Sequence, residues 1–129
     1  MKISFDSLIP VYVQIAEAIE DDIISGKLVE SGASYSQLII ARELSVNPAT
    51  AAKGINLLVS KGILEKQRGS TMVVVVGALD RLLKERRDKG FQDLIKNLVS
   101  EAGKINLSQD EVIAEIQKYY ESLEDKQNE

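Results

Sequence analysis

Asn47, Thr50 and Lys53 stand three residues apart in the segment VNPATAAKGINLLVSKGI, residues 46–63. The amine of Lys53 is of a kind that reaches the acceptors of a guanine edge, and the hydroxyl of Thr50 is of a kind that meets a phosphate oxygen. In the segment EKQRGST, Arg68 adds a guanidinium beside Gly69, a residue that lets another backbone come close. These groups suit recognition of a polar surface rather than the making and breaking of bonds.

What the chain lacks narrows the chemistry further. It has no histidine and no cysteine, so the commonest general base, the commonest transition-metal ligand and the thiolate nucleophile are all missing. The expectation is no enzyme, no catalytic residue, no metal site and no cofactor. Acids such as Asp21 and Asp22 read as a solvated helix face. Without cysteine, an apolar run of about 18 residues or a charged-then-apolar leader, the setting expected is cytoplasmic, with no membrane partner.

The net charge of -4 by itself argues against nucleic acid, because phosphate contacts need lysine and arginine. Its distribution reverses that reading. Residues 1–33 carry -4 and residues 77–129 carry -3, whereas residues 34–76, with five basic and two acidic side chains, carry +3. Lys53 and Arg68 both fall in this only basic third.

The elements that must position them follow from periodicity. At 129 residues and 44% hydrophobic content the chain suffices for one compact domain and an appendage. A first helix follows Pro10, read as its first residue, with Tyr12, Ile15, Ala16, Ile19 and Ile23 on one stripe, Glu17, Glu20 and Asp21 elsewhere, and Gly26 as a left-handed cap. A shorter helix is expected over residues 36–44, with Leu38, Ala41 and Leu44 inward. In the third, Asn47 caps the amides of residues 49 and 50, and Pro48 sets the first backbone angle. Ala51, Ile55, Leu58 and Val59 make its buried stripe, Ala49, Lys53, Asn56 and Ser60 its outer face, and Gly62 its end. Gly54 costs roughly 1 kcal/mol against alanine inside this helix, so a close helix contact is expected there.

In ILEKQRGSTMVVVV, two extended segments flank a polar turn over residues 68–70. Helices followed by such a hairpin make a winged helix-turn-helix, in which the first residues of the recognition helix reach base edges in the major groove. The expected fold is mainly α with a small β-hairpin: a winged helix-turn-helix DNA-binding domain over residues 1–77, then a two-helix C-terminal dimerisation region over residues 78–129.

From Ala78 an apolar stripe runs through Leu79, Leu82, Leu83, Phe91, Leu94, Ile95, Leu98 and Val99, interrupted by KERRDKG and ended by GKIN. Ser108 and Glu111 then form a capping box with Leu107 and Val112 as its hydrophobic staple. Val112, Ile116, Tyr119, Tyr120 and Leu123 line the last helix, which is expected to fray from Glu124. Two amphipathic helices cannot enclose a core alone. Leu79, Leu83, Phe91, Leu94, Leu98, Ile116 and Tyr120 are therefore expected to bury against a second copy in a homodimer. A small-molecule effector, which needs a cavity of about 300 Å³ or more, is expected to find room only between copies.

Together PVYVQIAEAIEDDIISGKL, VNPATAAKGINLLVSKGIL, RGSTMVVVVGA and LLKERRDKGF resemble the GntR family of winged-helix transcription regulators. The short tail is similar to the family's YtrA-like branch. The resemblance spans nearly the whole chain, and NPATAAKGINLLVSKGIL is its most specific part. It implies a homodimer with paired tails, a recognition helix in the major groove, and a wing in or near the minor groove. Position by position, Asn47, Thr50 and Lys53 match recognition-helix contacts, Lys66, Arg68 and Gly69 match the basic wing, and Ser36 is kept from the Pro-Ser pair that usually precedes the second helix. In SYSQL, Tyr35 and Leu38 replace that proline and a polar or basic side chain, and the wing carries less positive charge than usual. The implied function is a sequence-specific DNA-binding transcription regulator, a repressor on a palindromic operator. The alternative is a winged-helix protein-interaction module with weakened or lost DNA binding.

Overall fold

Pro10 lies just before the first turn of α1 (Val11–Ile24), at its N-cap rather than inside it, and its carbonyl accepts from the amides of Val13 and Gln14. The computed structural model describes residues 1–128, the side chain of Ser70 excepted. Ile15, Ala16, Ile19 and Ile23 are buried along α1 as helical spacing requires, while Tyr12 is half-buried. Glu20, read as a solvent-facing acid, is only 6% exposed. Its carboxylate meets the Lys61 ammonium at 3.0 Å, and that partner offsets the cost of burying the charge.

Ser36 caps α2 (Gln37–Leu44), its hydroxyl oxygen accepting from the Ile39 amide at 3.2 Å. The inward face differs from expectation: Ile40 is buried, Ala41 and Leu44 are half-buried against the core, and Leu38 is 68% exposed. Residues 40, 41 and 44 span about 100° of helix surface, and residue 38 lies outside that arc. Ser45 then turns the chain in the left-handed region, φ 53°.

Asn47 and Pro48 open α3 (Pro48–Ser60) as expected, and Ala51, Gly54, Ile55 and Leu58 are its buried residues. Val59, placed on the buried stripe by spacing, sits at the exposed edge. A Cβ at Gly54 would lie 2.9 Å from Ile15 Cγ2 and 3.0 Å from the Tyr12 carbonyl oxygen, so the close approach inferred there is real and its partner is α1. The strands β1 (Leu64–Lys66) and β2 (Met72–Val74) pair antiparallel, Leu64 opposite Val74 and Lys66 opposite Met72. Between them Arg68–Ser70 form a 3₁₀ turn with Gly69 at φ 77°. The far edge of β2 is covered by residues 31–34: the amides of Ser31 and Ser34 donate to the carbonyls of Val74 and Met72. No periodicity announces that edge, because backbone amides and carbonyls make its bonds.

The two compact units of the chain meet in sequence at Glu85 and Arg86, eight residues beyond the boundary expected at 77/78. Helix α4 (Ala78–Glu85) belongs to the first unit because Ala78 and Leu82, one turn apart, are fully buried in its core and Leu79 packs at the side. Arg81 donates to the carbonyls of Lys61 (2.6 Å) and Gly62 (2.9 Å), satisfying the end of α3.

The second unit comprises a π-helical stretch, Arg86–Gly90, then α5 (Phe91–Lys104) and α6 (Gln109–Gln127). Ser108 and Glu111 form the expected capping box. Helix α6 continues to Gln127, past Glu124 where fraying was expected; Glu129 lies outside the described residues. The two helices are not packed along their lengths. An apolar groove of about 480 Å³ opens between them, lined by Leu98, Ala102, Ile105, Val112, Ile116 and Tyr120 among others. A space that size within one copy is more than the tail was expected to offer. Among the described residues, no helix is long and apolar enough to cross a membrane.

Candidate nucleic-acid interface

The first turn of α3 is held from three directions. The Asn47 side-chain oxygen accepts from the Ala49 amide at 2.9 Å, which uses its acceptor on the helix and leaves its amide donors directed elsewhere. Gln37 Nε2 donates to the Pro48 carbonyl at 3.0 Å, tying the start of α2 to the start of α3. Beneath, Ala51, Ile55 and Leu58 anchor the helix in the core, so Ala49, Lys53 and Asn56 stay exposed and Thr50 is half-exposed at the edge. Lys53 Nζ lies 4.2 Å from the centroid of the Tyr12 ring.

The Gln37–Pro48 bond thus joins the start of α2, capped by Ser36, to the start of α3, capped by Asn47, with Thr50 and Lys53 further along α3. The hydroxyl of Ser36 keeps a proton to donate, since its oxygen is the acceptor for α2. Tyr35, which stands in place of the usual proline, does structural work: its hydroxyl donates to Asp22 Oδ2 at 2.5 Å and ties the segment before α2 to α1. Burial, then the hydrogen bond and charge of Asp22 and the charge of Glu43, push the Tyr35 pKa up to about 12. Leu38 presents an apolar side chain where the resemblance calls for a polar or basic one.

Lys66, Arg68 and Gly69 form a second group at the tip of the wing. The lysine and the arginine are exposed and pair with no acid among the described residues. Gly69 combines a positive φ with open space around its missing Cβ, so it shapes the turn and leaves room for another backbone to approach.

Two participants escaped the sequence reading. Gln37 carries no periodic signal, and the spacing of Tyr12 fits the buried stripe. Both act across the chain, on residues that no local pattern connects with them.

Of the apolar residues expected between copies, Leu79 is half-buried on the core of the first unit, and Leu83 is exposed at the edge of α4. Phe91, Leu94, Leu98, Ile116 and Tyr120 are all exposed on α5 and α6, Leu94 at 64% and Tyr120 at 66%.

No protein-family model matches the chain. It is 25% identical over 117 residues, 91% of this chain and 95% of the other, to YhcF of Bacillus subtilis (strain 168), described as an uncharacterized HTH-type transcriptional regulator. Among solved structures, a GntR family transcriptional regulator from Listeria monocytogenes is 25% identical with a TM-score of 0.72, over 88% of this chain and 98% of that one. YtrA from Sulfolobus acidocaldarius, a GntR-family transcription factor, is 29% identical with a TM-score of 0.55, over 96% and 99%. AraR(DBD), in complex with operator ORX1, is 26% identical with a TM-score of 0.52, over 58% of this chain and 93% of that one. In its winged helix-turn-helix fold, and over nearly its whole length, the chain is thus similar to GntR-family transcription regulators, a YtrA among them.

Proposed function

We propose that the chain is a repressor that binds a palindromic DNA operator as a homodimer. The observation that carries this reading is the outward start of α3. Asn47 caps it, Pro48 stiffens it, and the buried stripe of Ala51, Ile55 and Leu58 leaves Thr50 and Lys53 on the outer side. In the major groove Lys53 meets base acceptors and Thr50 a phosphate, with Ser36 and Asn47 donating to the backbone nearby. Lys66 and Arg68 add positive charge at the wing, where Gly69 permits close approach to the DNA backbone or minor groove. The operator complex of AraR(DBD) supports the winged unit in this role.

The homodimer is favoured by the open faces of α5 and α6, whose exposed leucines, isoleucines and tyrosines have too little of this chain against them to be buried. Two copies related by a dyad would read half-sites roughly 34 Å apart, or a multiple of that, on one face of the duplex. Recognition of this kind needs no cofactor, and it acts in the cytoplasm.

The exposed Leu38 and Ile39 on α2 favour a second reading, a protein-interaction module. One experiment separates the two. Duplex fragments selected from genomic DNA by the full chain are titrated, with scrambled controls, at two salt concentrations. Preference for a two-fold symmetric sequence, with affinity falling steeply as salt rises through counterion release, is the expected result. A chain that binds no duplex even at low salt overturns the repressor reading and leaves the interaction module.

A further inference from the structure

We propose that Tyr12 is a positioning residue for DNA recognition, its ring holding the Lys53 ammonium in the pose from which that lysine meets the duplex. The inference rests on the DNA-binding reading above and adds a residue to it from another helix. At 4.2 Å from Nζ to ring centroid, the pair is well inside the range of about 6 Å over which a cation is drawn to an aromatic face.

The backbone explains why the two side chains meet. Gly54 follows Lys53 directly, and the Cβ it lacks would press on Ile15 and on the Tyr12 carbonyl. A residue with a side chain there would force α1 and α3 apart. Glycine lets α3 settle against the first turn of α1, which brings Lys53 level with Tyr12. That first turn is fixed in its own right: Gln14 Nε2 donates to the carbonyls of Ser4 and Ile9 while its Oε1 accepts from the Ser4 amide. The platform under Lys53 is therefore tied to the amino-terminal segment on one side and to α3 on the other.

The electrostatics favour an aromatic platform over the commoner alternative. Lysine loses much rotamer freedom when it is ordered, and a side chain already oriented before binding loses less on the DNA. A carboxylate could orient the ammonium too, but it would cancel its charge and repel phosphates. No carboxylate forms an ion pair with Lys53 among the described residues. The ring orients the amine and leaves its positive charge in place for the duplex.

The test uses the full chain with Tyr12→Phe, Tyr12→Leu, Lys53→Met and the Tyr12→Leu/Lys53→Met double variant. Each is titrated by fluorescence anisotropy against the selected operator and a scrambled duplex, with thermal unfolding as the control for folding. Tyr12→Phe should keep the wild-type ratio of operator to scrambled affinity. Tyr12→Leu should lower it about two- to fivefold, and should lower it no further once Lys53 is methionine. In the DNA-free chain, the Lys53 ε-methylene protons should resonate upfield of an ordinary lysine, a ring-current effect that needs no variant to fold. Ordinary lysine shifts overturn the proposal, as does a Tyr12→Leu variant that keeps the ratio or binds the operator more tightly. An undiminished loss in the Lys53→Met background overturns it as well, because Tyr12 would then act by itself. If Lys53→Met loses discrimination while Tyr12→Leu does not, the inference alone fails. If Lys53→Met binds as wild type does, the role given to Lys53 fails and the inference falls with it.

Discussion

Glu20 Oε2 lies 3.0 Å from Lys61 Nζ, joining α1 to the end of α3 across 41 residues of chain. The same ammonium is 3.3 Å from Glu85 Oε1 at the end of α4, so three helices of the winged unit converge on one lysine. Burial alone would lower the Lys61 pKa; the hydrogen bond and charge of Glu20, followed by those of Glu85, more than reverse this and raise it above 10.5.

Lys61→Met should therefore destabilise the first unit by about 2 kcal/mol at neutral pH, less than for a wholly buried pair because Lys61 is partly exposed, and chiefly because Glu20 is left charged and buried. Glu20→Gln, which removes that charge, should cost less. Urea unfolding of the two variants checks the order, and equal midpoints for Lys61→Met and wild type would sink it. Since the folded pKa is raised, the stabilisation is fully present below pH 10.5 and is lost as pH climbs through the folded value.

Tyr35 gives a second alkaline signature. Its pKa of about 12 in the fold, against 10.0 otherwise, means that its hydroxyl stabilises the fold fully below pH 10 and loses that contribution between pH 10 and 12. Ultraviolet titration should find a late tyrosinate step near pH 12. Tyr35→Phe should abolish that late step, cost about 1 kcal/mol at neutral pH through the lost bond to Asp22, and flatten the fall in stability from pH 10 to 12. A late step that persists in the phenylalanine variant would assign it to another tyrosine.

For DNA, Thr50→Ala should weaken operator and scrambled duplex together, as loss of a phosphate contact does. Arg68→Ala should do the same and reduce the salt slope by about one. If the Arg68 loss is confined to the operator, the wing reads base or groove shape instead.

The boundary after Glu85 makes a sharp comparison. A fragment of residues 1–85 should unfold cooperatively and bind a half-site weakly, having lost the avidity of a second copy. A fragment of residues 1–77 lacks Ala78, Leu82 and Arg81, and with them a piece of core and the cap on α3. It should be less stable by several kcal/mol, on the scale of large core truncations, and circular dichroism melting of the two fragments decides it.

Leu94→Glu and Tyr120→Glu place charges on the open faces of α5 and α6. Each should convert a dimer to a monomer in light scattering at micromolar concentration while leaving the first unit folded. A monomeric wild-type chain under those conditions would remove the basis for a palindromic operator.

The features legible in the sequence are those whose physics is completed within one or two turns of chain. Asn47 finds its hydrogen-bond partner two residues on, Ser108 and Glu111 cap each other, and Gly26, Gly62 and Gly69 take positive φ where a helix or turn must end. The long stripe on α3 likewise declares its buried side, Val59 at the edge excepted, because thirteen residues sample every direction around the axis. An eight-residue helix such as α2 has too few apolar positions to choose between Leu38 and Ile40, and the neighbour that chooses is α3. Helix α4 reads as the start of the tail, yet Ala78 and Leu82 are claimed by a core built from residues far earlier in the chain. Glu20 looks solvated until Lys61 arrives to meet it, and Tyr12 looks like core until Gly54 brings Lys53 above its ring. Each of these depends on which surfaces are brought together across tens of residues, and that choice is a sum of packing and pairing over the whole unit that no local spacing contains.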